Sequence, residues 1–386
     1  MDDSGQGRSL AIGIVLDGLN CTGSDMRPER DELLENSTES PPALMRSLQI
    51  RELGPVLDMT SPVVLENLPI PEPAASEVLI RVHACGVCHT EIDEIEGRSP
   101  PTSMPMTPGH QVVGTVVKAG HDNHRHLLGR RVGVAWIFSA CGQCEYCLDG
   151  LENLCPDFIA SGRDRAGGYA EYMVADAHFI YLLPVEISDS EATPLLCAGA
   201  VGYRSLSLCH LENGQALGLT GFGSSGHLVL QMAKHLFPDT GIHVFARNPQ
   251  ERQFAMSLGA VWSGDTCDSP PRLLDAVIDT TPAWQPILCA LKHLAPGGRL
   301  VINAIRKEAD DRHLLQELNY ESQLWLEKSI QSVANVTRDD VKQCLRLAAE
   351  IPLHPEVTKY PLEKAGIALK ELKKGNIRGA KVLVCK

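Results

Sequence analysis

Between residues 141 and 155 the chain reads CGQCEYCLDGLENLC, so Cys141, Cys144, Cys147 and Cys155 follow the pattern C-x2-C-x2-C-x7-C. Spacings this short let several sulfurs converge on one ion while the backbone turns around it. Four thiolates around Zn²⁺ make a closed tetrahedral site with no corner left for a substrate. Such a site is anionic, so backbone N–H donors are expected close to the sulfurs. The alternatives are an iron–sulfur cluster and plain unligated thiols. Cluster-binding runs share the C-x2-C-x2-C start and a Cys-Pro end, matched here by Cys155-Pro156, but they use a shorter last spacing. Structural zinc is the favoured reading, and the reacting groups must then be sought elsewhere.

A second constellation, GFGSSG, places Gly221, Gly223 and Gly226 as G-x-G-x-x-G after an apolar run and before an amphipathic one. The first glycine allows a tight turn and the second lets backbone approach a pyrophosphate. The third permits close strand–helix contact, with the helix N-terminus favouring the anion. The motif alone is weak, and its strand–turn–helix setting makes it strong. Some twenty residues further on, an acid would bond the ribose 2′-hydroxyl of NAD. Ala246 stands there instead, followed by Arg247. Nothing repels a 2′-phosphate and a guanidinium is available to bind it, which favours NADP(H) over NAD(H). Adenine stacking by Arg247 is the plainer alternative.

These residues sit on two kinds of pattern. From 45 to about 195 short strands alternate with Gly/Pro turns: EVLIRVHACG (77–86), QVVGTVVKAG (111–120), RRVGVAW (130–136) and GYAEYMVAD (168–176). This predicts an irregular β region. Ser188 and Glu191 have capping-box spacing and predict the start of a helix through LLCAGAVGYRSLSL. Strands QALGLT, IHVFA, AVIDT and RLVINA then alternate with helices over 225–237, 249–260 and 283–294, with an APGG turn before the last strand. Such alternation predicts a parallel sheet covered on both faces. The tail from about 335 carries helical pieces and a last strand, KVLVC.

Residues 1–44 are polar and acidic towards their end and are expected to form a poorly ordered extension, the alternative being translation from Met45. The start Met1-Asp2-Asp3 lacks the basic region of a secretory signal, and LAIGIVLDGL (10–19) is too short to span a bilayer. A cytoplasmic location is expected, where clustered Cys read as metal ligands rather than disulfides. The net charge of −13 argues against nucleic acid and anionic membrane as partners.

GVCHTE (86–91), PGHQ (108–111), the four-Cys loop, LLCAG (195–199) and GFGSSG (221–226) occur in that order. From about 45 to 386 the chain resembles the medium-chain zinc-dependent alcohol dehydrogenases. GYAEYMVAD, LLCAGAVGY and SVANVTRDD look most similar to a bacterial and archaeal branch of zinc-binding alcohol dehydrogenases. The resemblance implies an α/β architecture: a GroES-like, mostly β catalytic domain (45–197 and 335–386) interrupted by a doubly wound Rossmann domain (198–334). It also implies a homodimer or homotetramer.

By the same resemblance Cys88, His110 and Cys197 hold a catalytic zinc, the second of two per chain. Two thiolates and a neutral imidazole balance the metal charge and leave a fourth position open. An alcohol held there is acidified and yields hydride to nicotinamide, the reverse reaction starting from an aldehyde or ketone. Thr90 takes the position of the proton-accepting hydroxyl, and His89 extends the relay or faces the pyrophosphate. Arg378 resembles an arginine near the cofactor phosphates, and Trp136 stands at a pocket-lining position. There are departures from the pattern. Gln111 replaces the usual Glu, which is expected to strengthen polarisation by the metal and to slow ligand exchange. Glu91 replaces Asp, and Asp93 stands where some relatives carry a relay histidine, leaving proton exit through water or Asp93. The alternatives in function are a related double-bond reductase lacking catalytic zinc, a zinc-retaining nucleotide-binding or redox-sensing protein, and an iron–sulfur carrier.

Overall fold

The structure, a computed structural model, describes residues 44–351, 353, 355–375 and 379–385. Arg378 and residues 1–43 of the expected extension lie outside them.

Two sheets organise the described chain. The first is parallel, with strands in the spatial order Trp262–Gly264, Gly241–Phe245, Ala216–Thr220, Leu274–Asp279, Leu294–Ile302, Ser329–Ser332. Numbered along the chain this is 3-2-1-4-5-6, the dinucleotide-binding order. The central strand Ala216–Thr220 is buried at every position, as expected where helices cover both faces. Helix Gly226–Leu236 turns Leu228, Val229, Leu230, Met232 and Ala233 inward. Each fully buried Leu, Val or Met of this kind contributes about 1.5–3 kcal/mol. Helix Pro249–Ser257 starts as Asn248 accepts from the Gln250 N–H, with Pro249 at its first position. The expected turn at 295–298 is instead drawn into the strand Leu294–Ile302, whose pairing with Leu274–Asp279 shifts register between Leu274 and Ala276.

The second sheet is mixed and carries the β region. Strand Glu77–Val87 pairs antiparallel with Val112–Ala119, with Tyr172–Asp176 and with the C-terminal strand Ala380–Val384. Val112–Ala119 pairs in turn with Arg131–Val134, and that strand with Ile180–Leu182. A core of Ile80, Val82, Val112, Val116, Val132 and Met173 lies beneath it.

The segment joining the sheets is helical with a local change of winding. The Ser188–Glu191 capping box forms as expected. Helix Asp189–Pro194 then passes into a π turn over Leu195–Gly199 and continues as helix Ala200–Cys209. A π turn widens one helical turn, and such turns recur at functional sites. Cys197 sits in its middle.

Candidate active site

Three segments distant in sequence converge at the ends of these elements. Cys88 precedes helix His89–Ile95, which follows directly on strand Glu77–Val87. His110 lies in the turn before strand Val112–Ala119, and Cys197 on the π turn. The ligand atoms of Cys88, His110 and Cys197 all lie within 4.8 Å of one another. His110 Nδ1 donates to Glu91 Oε1 at 2.6 Å, while Glu91 Oε2 accepts the Cys88 N–H at 2.7 Å. One carboxylate therefore both starts the helix behind Cys88 and fixes the imidazole, leaving His110 Nε2 to face the sulfurs. That nitrogen is buried and has no hydrogen-bond partner. A buried orphan acceptor beside two sulfurs fits a metal ion, and a carboxylate behind the ligating histidine fits it further.

The electrostatics agree. The Cys197 thiol beside it holds the Cys88 thiol well below its ordinary range against burial, and His110 adds to the effect. Cys197 is pushed the other way by Cys88 and then by burial. Without a cation, two adjacent thiolates repel, and one keeps its proton. For His110 burial pulls down, but the Glu91 charge and then Cys88 outweigh it, so the imidazole is raised. A divalent cation resolves all three at once.

Thr90 is buried, with Oγ1 3.6 Å from Cys88 Sγ, whereas His89 is exposed. Gln111 is buried, and its side chain occupies the space beside Gly86 that a Cβ there would need. Asp93 is buried and flanked by two guanidinium groups. Its Oδ1 is held by Arg98, and Arg306 Nε sits 2.9 Å from Oδ2 without its N–H aimed along that line. Trp136 tilts against Phe158 and lies under the Arg163 guanidinium, its indole N–H buried and unpartnered.

Several neighbours carried no signal in the sequence. Glu94 is fully buried near Glu91, His110 and Cys88, and neither of its carboxylate oxygens has a partner. Burial, and next the Glu91 charge, raise it well above the usual carboxylate range. Arg306 and Lys307 follow the strand Leu294–Ile302, Lys307 being buried against Asp279.

At the crevice between strands Ala216–Thr220 and Leu274–Asp279, Gly221 adopts φ 80° and donates to the Phe245 carbonyl at 2.9 Å. A Cβ on Gly226 would lie 2.7 Å from the Gly221 carbonyl oxygen, whereas one on Gly223 would meet nothing within 4 Å. The close approach of helix to strand and the open space over Gly223 fit a pyrophosphate at the turn. Arg247 is exposed beyond the next strand, just before the start of helix Pro249–Ser257.

The four-Cys loop is also assembled. The sulfurs of Cys141, Cys144, Cys147 and Cys155 lie within 4.8 Å of one another. The Cys141 N–H points to Cys155 Sγ at 3.4 Å and the Cys144 N–H to Cys141 Sγ at 3.3 Å. Backbone N–H groups of Gln143 and Cys144 bring the Cys141 thiol down to about 6. These are the donors expected for an anionic thiolate site. Among the described residues no helix is long and apolar enough to cross a membrane.

The family model of the alcohol dehydrogenase GroES-like domain matches residues 74–185. The probable alcohol dehydrogenase AdhA of Mycobacterium tuberculosis is 42% identical over 349 residues, covering 89% of this chain and 98% of its own length. An alcohol dehydrogenase of Geobacillus stearothermophilus is 31% identical over 333 residues, covering 83% of this chain and 96% of its own. Among solved structures, that of AibC superposes with a TM-score of 0.79 at 26% identity, over 89% of this chain and 96% of that one. With its parallel and GroES-like sheets and this degree of identity along nearly its whole described length, the chain belongs to the medium-chain zinc-dependent alcohol dehydrogenase family.

Proposed function

We propose that the chain oxidises a small alcohol to an aldehyde or ketone with NAD(P)⁺, reversibly, using the Cys88, His110 and Cys197 set. The observation that carries this is the buried, unpartnered His110 Nε2 facing two sulfurs of opposite protonation tendency. Zinc held there would supply Lewis acidity, of the kind that takes bound water from a pKa of about 16 to about 7. Nicotinamide would accept the hydride.

The chain's own residues do the rest. Thr90 Oγ1 accepts the alcohol proton, being a group that can accept and donate at once. His89, exposed beside it, hands the proton to solvent. Glu91 keeps the His110 ring in the tautomer that leaves Nε2 free. Gly221, Gly223 and Gly226 receive the pyrophosphate, and Arg247 the 2′-phosphate, so NADP(H) is the preferred cofactor. Arg378 is assigned to the cofactor phosphates on the resemblance alone. Cys141, Cys144, Cys147 and Cys155 would hold a second zinc, which would tie down the loop. The working arrangement is a catalytic lobe of 45–197 and 335–386, a nucleotide lobe of 198–334, and a cytoplasmic homodimer or homotetramer.

The intact metal set disfavours a zinc-free double-bond reductase, and the seven-residue last spacing of the four-Cys loop disfavours an iron–sulfur carrier. A zinc-retaining protein without turnover is separated by experiment. Metal analysis should give two zinc per chain. A screen of NAD⁺ and NADP⁺ against an alcohol panel should show turnover that Cys197→Ala abolishes. Zinc without turnover on any alcohol or carbonyl would sink the reading.

A further inference from the structure

We infer that Cys267 and Cys289 form a thiol–disulfide exchange site coupled to dinucleotide binding. They are bonded, with Cα atoms 5.2 Å apart. Cys267 is exposed on the loop after strand Trp262–Gly264, and Cys289 is buried in helix Gln285–His293. The described cysteines outside the metal sets, Cys85, Cys209, Cys344 and Cys385, are free thiols.

The bond joins the loop after strand Trp262–Gly264 to helix Gln285–His293, and each of the two is tied to a segment of the proposed site. On one side, the loop bearing Cys267 leaves from Gly264, whose carbonyl accepts the Ala246 N–H at 3.0 Å. Asp265 lies 3.6 Å from Arg252, and Arg252 donates to the carbonyls of Ala246 and Arg247. The backbone that presents Arg247 is thereby tied to this loop. On the other side, the N-terminal turn of the Cys289 helix donates from Trp284 and Gln285 to Asp311, each at 2.8 Å. Trp284 Nε1 also donates to the Glu308 carbonyl, next to the residue pair Arg306–Lys307. A single covalent bond thus links the loop held to the Arg247 backbone with the helix whose N-terminal turn is tied to the segment that reaches Asp93.

Exchange proceeds at the exposed sulfur. A low-molecular-weight thiolate attacks Cys267 Sγ, forms a mixed disulfide and expels the Cys289 thiolate, which takes up a proton. A second small thiol then releases Cys267, leaving two protein thiols and one small disulfide. The same small disulfide closes the bond in reverse. The opened loop gains freedom that dinucleotide binding must remove again, so the bonded form binds more tightly. Linkage makes the effect reciprocal: bound dinucleotide resists reduction by the same factor.

The inference rests on the dinucleotide reading of the Gly221 turn, and its test tells the two apart. Zinc-loaded protein is equilibrated in glutathione redox buffers with and without NADPH, then alkylated, and the Cys267–Cys289 bond is quantified by mass spectrometry. Dissociation constants for NADPH and NADH are read by fluorescence for the oxidised protein, Cys267→Ser and Cys289→Ser. The expected result is binding weakened about fivefold or more in both variants, and an equal shift of the redox equilibrium by NADPH. Free thiols in protein isolated without reductant, or equal affinities across the forms, would overturn the exchange site alone. Absence of binding by every form would overturn the dinucleotide reading and this one with it.

Discussion

Arg306 Nε lies 2.9 Å from Asp93 Oδ2, joining the segment after a strand of the parallel sheet to the short helix that carries His89 and Thr90. The next residue, Lys307, is buried against Asp279 at the end of another parallel strand. Adjacent side chains thus grip the helix that follows Cys88 and the parallel sheet. Guanidinium groups lie against both Asp93 oxygens, an arrangement that favours positioning over relaying. Arg306→Ala should lower kcat/KM about tenfold, as expected when reacting groups lose their alignment. Asp93→Asn should lower it without moving the pH profile. A profile whose acid limb shifts in Asp93→Asn would return that residue to the proton path.

Glu91 serves His110 through one oxygen and the Cys88 N–H through the other. Glu91→Gln keeps the size but weakens the acceptor behind the imidazole. Zinc affinity at the Cys88 set should fall about 10- to 100-fold, read by competition with a chelator, while the Cys141 set keeps its metal. Loss of both ions together would mean that the substitution unfolds the chain.

Gln111 fills the space beside Gly86, and a glutamate of the same length fits there. An added negative charge next to His110 would make a bound metal a weaker Lewis acid, while helping ligands to exchange. Gln111→Glu should slow the pre-steady-state hydride step and quicken product release. If both rates stay as they are, the amide has no bearing on the metal.

Much of this arrangement is legible along the chain, and the exceptions share a cause. The C-x2-C-x2-C spacing, the glycine turn and the alternating strands are local patterns, and these elements lie within a few residues of their expected bounds, except that the strand over RLVINA starts at Leu294 and takes in the expected APGG turn. The π turn at Cys197 left no mark, because LLCAG reads as ordinary helix and the extra winding depends on packing around it. The Arg306–Asp93 and Cys267–Cys289 pairings join segments far apart in sequence, where spacing says nothing. Nor does apolar patterning mark Glu94, since a carboxylate in HTEIDEI reads as an exposed helix face. The structure turns it inward.

Glu94 has no partner for either oxygen, and burial raises it well above the ordinary carboxylate range. An acid whose folded pKa is raised binds its proton more tightly when folded. Its favourable share of stability is therefore complete below the unfolded value of about 4.5, and is lost as pH rises towards the folded one. Glu94→Gln removes that loss, so stability at pH 7 should rise by about 1 kcal/mol or more, the scale of an unsatisfied buried group. Near pH 4 the variant and the parent should match. Urea unfolding at both values checks this, and a variant less stable at pH 7 would show that the carboxylate has a partner in solution.

Ala246 is buried directly after strand Gly241–Phe245, and Arg247 is the first exposed residue after it, ahead of the Asn248-capped helix. A phosphate there would meet a guanidinium and the positive end of a helix, with no carboxylate at Ala246 to repel it. Removing the guanidinium costs the phosphate its main counter-charge but leaves a bare 2′-hydroxyl indifferent. Arg247→Ala should therefore lower kcat/KM with NADP⁺ about 10- to 100-fold, the span of a lost charge-assisted hydrogen bond of roughly 1.5–3 kcal/mol, and leave NAD⁺ nearly unchanged. Ala246→Asp should add the missing acceptor for the 2′-hydroxyl and reverse the preference. Equal losses with both cofactors would instead place Arg247 against the adenine, which the two dinucleotides share.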